Sequence, residues 1–173
     1  MLVCFVIFCY KYFEFKFICM KKFLRRLYKN SANLRKKNIL NFLEENSDAV
    51  FLDLGCDDGK WTMEMAKKIN TDKVFGVEII ESRASEAKKS GVNVVVSDLN
   101  EIFPFENDMF DVIHADQVIE HVAFVDNFIS EIYRVLKPGG YIVIGTESNH
   151  SLSCSFKQFQ CFLISFEKFF RRM

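Results

Sequence analysis

From Ala49 to Thr146 the sequence alternates short runs that are apolar at nearly every position with amphipathic ones, and no other feature restricts the fold as much. The apolar runs are AVFLDLG, KVFGVEI, VNVVVSD, FDVIHAD and YIVIGT. Runs of this kind suit strands buried on both faces. Between them lies KWTMEMAKKI, which spaces Trp61, Met65 and Ile69 four apart on one helical face. SRASEAKKSG follows the second run and is stopped by Gly91. VDNFISEIYRVLKPGG puts Phe128, Ile132 and Leu136 on one stripe and ends at Pro138 and Gly139. A short helix is expected around Val118 to His121. Strands that alternate with helices make an α/β domain with a parallel sheet covered on both faces. Right-handed crossovers make it doubly wound, and a switch point beside the first strand predicts the spatial order 3-2-1-4-5.

The chain has 173 residues, enough for one such domain. Its formal net charge is zero, which gives no global attraction to nucleic acid, and no nucleic-acid partner is expected. Cys4, Cys9, Cys19, Cys56, Cys154 and Cys161 include no C-x-x-C pair and no histidines at zinc spacing, so no metal site is expected. That usage fits a reduced, cytoplasmic chain. Residues 1–19 begin with the uncharged run MLVCFVIFCY, but Lys11, Glu14 and Lys16 interrupt it short of the roughly 20 apolar residues a span requires. Three readings remain: a marginal membrane anchor, an exposed apolar tail, or a leader foreign to the native protein. The last is preferred, because Met20 followed by KKFLRRLYKN resembles a start. Residues 20–43 carry eight Lys or Arg and no acid, and read as amphipathic helix with a solvated basic face. Membrane contact through residues 1–43 is the less favoured reading.

The first apolar run leads into a loop, GCDDG, and a helix pattern follows at once. In an open parallel sheet, ligands bind beyond the carboxyl ends of the strands. That end presents Asp53, Glu78, Asp98 and Asp116, four strand-end carboxylates around one crevice. A dinucleotide wants G-x-G-x-x-G, but those positions read Gly55, Asp57 and Lys60. Asp57 and Asp58 would also face the pyrophosphate, and like charges ~4 Å apart cost ~4 kcal/mol at an effective dielectric near ~20. S-adenosyl-L-methionine carries a sulfonium, an ammonium and one carboxylate. Acids suit the two cations, and loop N–H groups can take the carboxylate. Glu78 is placed to accept from both ribose hydroxyls, and Asp98 from the adenine amino group.

LDLGCDDG, VFGVEI, VVVSDLN, FDVIHADQVIEHV and RVLKPGGYIVIGT resemble, in order, the motifs of the class I S-adenosylmethionine-dependent methyltransferases, closest to the small-molecule type-11 group. The resemblance covers about residues 34–147. It implies a Rossmann-like sheet of seven strands in which Gly55 and Gly59 let the backbone approach the cofactor. It also implies that Asp53 belongs to the cofactor loop, that Glu78 holds ribose, that Asp98 and Leu99 flank adenine, and that Asp116 and Gln117 lie near the sulfonium and methionine end. Asp57 departs from the pattern, standing where many members have glycine.

The expected organisation is a leader over 1–19, a methyltransferase domain with a basic N-terminal helix over 20–147, and a Phe-rich tail over 148–173. The family's final two strands are expected to be missing. The tail is expected to form one helix from about Phe156 to Phe170, or to be irregular, leaving YIVIGT as an exposed edge. The expected activity is methyl transfer to a small-molecule acceptor. A non-catalytic cofactor-binding remnant is the alternative, and an NAD-dependent oxidoreductase a weaker one. His121 is the candidate general base, although a half-buried packing role competes with it. His114 is expected to pack inside its strand, and Cys56 has no partner base that would make it a nucleophile.

Overall fold

A computed structural model describes residues 32–147 and 159–165. The readings of the leader, of residues 20–31 and of the rest of the tail lie outside those residues. The chain divides into two compact units, Met1–Lys37 and Asn38–Met173. Residues 32–42 are helical (α1). Then follow β1 (Phe51–Leu54), α2 (Lys60–Ile69), β2 (Val74–Glu78), α3 (Glu81–Lys89), β3 (Asn93–Val96) and β4 (Phe110–Asp116). A 3-10 turn (Ile119–His121), α4 (Val125–Val135), β5 (Leu136–Glu147) and β6 (Phe159–Ser165) complete the described elements.

The sheet has the order β3-β2-β1-β4-β5-β6. The first five strands are parallel, as the alternation of strands and helices predicts. β1 is central, pairing Asp53 with Gly76 on one side and with His114 on the other. Successive strand residues face opposite sides. Phe51 therefore joins Met65, Ile69 and Val143 under the layer that includes α2 and α3, with Ile39 and Leu43 packed there as well. Leu52 and Leu54 join Phe110, Ile113, Phe128 and Ile132 under α4. Each fully buried aliphatic or aromatic side chain stabilises by about 1.5–3 kcal/mol. Edge-on phenylalanine pairs order the second layer, Phe105 on Phe110 at 4.9 Å and Phe103 on Phe128 at 5.8 Å between ring centres.

Two expectations are corrected. The segment from Phe159 is a strand rather than part of a helix, and it pairs antiparallel with β5, so β5 is not an exposed edge and a strand follows it where the family's last two were expected to be missing. The spacing of Phe159, Leu163 and Phe166 does suit a helix. But FQCFLIS is also a short apolar run, which periodicity alone cannot assign, and the edge of β5 offers it a ladder of hydrogen bonds. The stripe of α4 ends at Val135 rather than Leu136, because Leu136 already pairs with Phe110. β5 then crosses Pro138–Gly140 through a register shift before Tyr141 meets Val112.

Arg134 on α4 fastens the segment before β4. It donates to Phe105 O at 2.8 Å and to Phe103 O at 2.9 Å, while its partner Glu131 accepts from Phe103 N–H at 2.8 Å. The hydrogen bond from Arg134 holds the Glu131 carboxyl below its usual 4.5, against the opposing pull of burial. A carboxyl depressed on folding contributes stability that is whole above its unfolded value and is lost as pH falls through the folded one. Glu131→Gln should therefore lose less stability than the parent between neutrality and strong acid, read from denaturation midpoints against pH. Parallel acid limbs in the two proteins would contradict this.

Candidate functional site

β1 ends in a loop that three left-handed residues fold back on itself: Gly55 at φ 79°, Asp57 at φ 48° and Gly59 at φ 76°. The two glycines are needed for room as well as for conformation. A Cβ on Gly55 would lie 2.9 Å from Val118 Cγ2, and one on Gly59 2.8 Å from Ala87 Cα in α3. Asp57 takes the left-handed conformation rather than avoiding it, and aspartate is among the residues that tolerate it. Four of the loop amides are engaged within the protein. Gly55 and Cys56 donate to Val77 O at 2.8 and 3.0 Å, Gly59 to Cys56 O at 2.9 Å, and Asp57 to Glu78 Oε2 at 2.9 Å.

Under the loop lies a buried polar cluster from three elements. Asp53 of β1, only 3% exposed, accepts from Thr62 Oγ1 of α2 and from His114 Nδ1–H of β4 at 2.7 Å. Asp53 is thus placed beneath the loop, not on its surface, and its link to Thr62 closes the loop from start to end. His114 is buried as expected, and its Nε2 has no hydrogen-bond partner among the described residues. Cys56 is 4% exposed, and its thiol is pushed up to about 12 by burial first and then by the charges of Asp53 and Glu78, which leaves it no thiolate near neutrality.

Glu78, at the end of β2, is buried, only 8% exposed. Its carboxylate bridges two backbone donors, Asp57 N–H through Oε2 and Ile80 N–H through Oε1, each at 2.9 Å. It therefore fastens the glycine loop of β1 to the exit of β2.

The other two loop acids are paired outward. Arg83 Nε of α3 lies 3.2 Å from Asp57 Oδ1, and Lys60 Nζ lies 2.5 Å from Asp58 Oδ2. The hydrogen bond from Lys60 holds the Asp58 carboxyl below its usual range, and Asp57 raises Arg83. These exposed pairs cancel much of the charge that argued against a pyrophosphate. The objection of shape stands, since Lys60 occupies the third glycine position.

Asp98 lies two residues past β3, where Oδ1 accepts from the backbone N–H and the side-chain amide of Asn100 at 2.9 and 2.8 Å. Asn100 in turn accepts from Ala123 N–H at 2.7 Å, tying this turn to the segment after β4. Leu99 packs against the core on the α4 side. Asp116 ends β4, and Gln117 turns left-handed at φ 58° with its N–H on Gly145 O at 2.8 Å. Val118 then meets the glycine loop at Gly55. Glu78, Asp57, Gly55 and the 116–118 corner thus form one continuous rim. His121 ends the 3-10 turn and is exposed rather than half-buried.

Gly76, Thr62, Arg83 and Val118 were not among the expected residues. Gly76 carries a signal, because a glycine inside an apolar strand run marks a close approach. A Cβ there would lie 2.6 Å from Cys56 Sγ. The others carry none, since a helical threonine or a loop valine looks ordinary until its neighbour is known.

Residues 52–144 match a family model described as a methyltransferase domain. The chain is 28% identical over 130 residues to a demethylmenaquinone methyltransferase of Lactococcus lactis, covering 70% of this chain and 48% of that protein. It is 31% identical over 114 residues to a sterol 4-C-methyltransferase of Caenorhabditis elegans, covering 62% of this chain and 34% of that one. It therefore spans about half or less of the length of these curated relatives. Its fold is similar to that of a crystal structure of an S-adenosylmethionine-dependent methyltransferase from Mesorhizobium loti, with a TM-score of 0.59 and 23% identity over 64% of this chain and 52% of that one.

Two substitutions test the geometry around the loop. Thr62→Val keeps the shape but leaves a buried Asp53 oxygen without its donor, and should cost about 1–3 kcal/mol in chemical denaturation. Gly76→Ala should cost about 1–3 kcal/mol through overpacking. Adding Cys56→Ala should recover part of that loss, whereas strictly additive losses would show that Cys56 is not what Gly76 accommodates.

Proposed function

Because the chain belongs to the methyltransferase domain family of class I S-adenosylmethionine-dependent enzymes, we propose that it transfers a methyl group from S-adenosyl-L-methionine to a small-molecule acceptor. The observation that carries this reading is the single hydrogen bond that joins the glycine loop after β1 to Glu78 at the end of β2, at the carboxyl end of a parallel sheet. The residues present fit the cofactor: Gly55 and Gly59 form a cradle that has no room for a Cβ, next to strand-end acids that suit a sulfonium and an ammonium.

When bound, S-adenosylmethionine supplies a methyl group already activated on sulfur. The chain's own residues then have to bind, orient and exclude water, and positioning alone can remove much of the barrier. Gly55, Asp57 and Gly59 shape the loop, and Asp53 supports it from below. Glu78 takes the ribose hydroxyls, Asp98 and Leu99 flank adenine, and Asp116 and Gln117 face the methionine end. His121, exposed at the end of the 3-10 turn, is the candidate base for an acceptor that must lose a proton. The named relatives act on a demethylmenaquinone and a sterol, which supports a small-molecule acceptor here. Among the described residues no helix is long and apolar enough to cross a membrane.

Calorimetry with S-adenosylhomocysteine and with NAD separates the readings. Binding of NAD alone would overturn this one. Binding of S-adenosylhomocysteine with no turnover on any acceptor would favour a non-catalytic binding protein. Glu78→Ala should weaken S-adenosylhomocysteine by about 1.5–3 kcal/mol. It should also lower thermal stability, because the Asp57 and Ile80 amides lose their acceptor. Unchanged affinity in a folded variant would remove Glu78 from the ribose.

A further inference from the structure

The corner where β4 leaves the sheet is seated between two glycines. On one side, Val118 Cγ2 fills the space where Gly55 would carry a Cβ. On the other, Asp116 pairs in register with Gly145 of β5, and the Asp116 carboxylate lies in the volume a Gly145 Cβ would need. The ideal Cβ position is 2.2 Å from Asp116 Oδ1, 3.1 Å from Cγ and 3.5 Å from Cβ. Gly145 has an ordinary negative φ, so its backbone does not call for glycine. Glycine inside a strand weakens it, and here the return is space. The same residue also holds the next one, since Gly145 O accepts from Gln117 N–H at 2.8 Å while Gln117 sits in a left-handed conformation that only its surroundings can enforce. Gln117 Nε2 is buried and has no hydrogen-bond partner among the described residues, as a donor awaiting a polar ligand would be.

We infer that Gly145 is a positioning residue for this site: its missing side chain fixes where the Asp116 carboxylate lies, and through Asp116 it sets the grip on the cationic methionine end of the cofactor. Any side chain at 145 displaces the carboxylate from the face of β5. The inference rests on the methyltransferase reading above, with Asp116 at the methionine end.

A double-mutant cycle on S-adenosylhomocysteine affinity, read by calorimetry with thermal unfolding alongside, tests it. Gly145→Ala and Asp116→Ala should each weaken binding by roughly tenfold or more. The Gly145→Ala/Asp116→Ala variant should bind no worse than Asp116→Ala, because without the carboxylate a methyl group at 145 has nothing to displace. Wild-type affinity in Gly145→Ala overturns the inference, and so does a further loss when Gly145→Ala is added to Asp116→Ala. Wild-type affinity in Asp116→Ala overturns it too, while leaving the methyltransferase reading intact. Absence of binding by the parent protein overturns both. If Gly145→Ala does not fold but the double variant does, the contested volume is established, and isosteric Asp116→Asn carries the affinity readout. A roughly tenfold loss supports the assignment, and parent-like binding overturns it.

Discussion

β1 has parallel partners on both sides, and the site follows from how its chain gets out of the sheet. Past Leu54 the backbone must turn between the ends of β2 and β4, where Val77 O takes two of its amides and Val118 leaves no room for a side chain at Gly55. Only a residue that is left-handed and bare, as Gly55 is, passes through that gap. The loop's cost is met by neighbours that over-determine it: Glu78 holds it from β2, Asp53 and Thr62 brace it from below, and Gly59 delivers it into α2 against Ala87. A loop so bound is preorganised, and a ligand that meets it need not supply the free energy of ordering it.

The acids of the site divide by what they face. Asp53 and Glu78 are buried and answered by hydrogen-bond donors, a hydroxyl and an imidazole for one and two backbone amides for the other. Asp57 and Asp58 are outside and answered by Arg83 and Lys60, pairs that solvent screens heavily. An acidic stretch in the sequence is therefore not an acidic surface in the fold. Charge counted along the chain overstated the repulsion a phosphate would meet, whereas the shape of the loop did not depend on that count.

The sheet was legible because continuous apolar runs have few alternatives once helices separate them, and the order of five strands follows from handedness. The glycine loop and Glu78 were legible because their spacing and chemistry are local. What escaped was contact between distant positions. Thr62 looks like any helical threonine until Asp53 is placed beneath it, and Arg83 like any surface base until Asp57 is near. The strand from Phe159 escaped for a related reason: its residues suit two periodicities, and the edge of β5 decides between them. Leu136 was assigned to the wrong element because one leucine can end a helical stripe or open a strand equally well.

The bond between Asp53 and His114 spans 61 positions of sequence. During synthesis β1, α2, β2, α3 and β3 are all made before His114 is added. Throughout that interval the central strand lacks one of its two neighbours, and the carboxylate destined for the interior still depends on water. Local helices can form as they emerge, but the sheet closes only after most of the domain has been translated, because its middle strand is spoken first and finished late. A pause in translation before residue 114 would hold this chain with its largest apolar faces uncovered, which makes the spacing of β1 and β4 a matter for chaperones as well as for geometry.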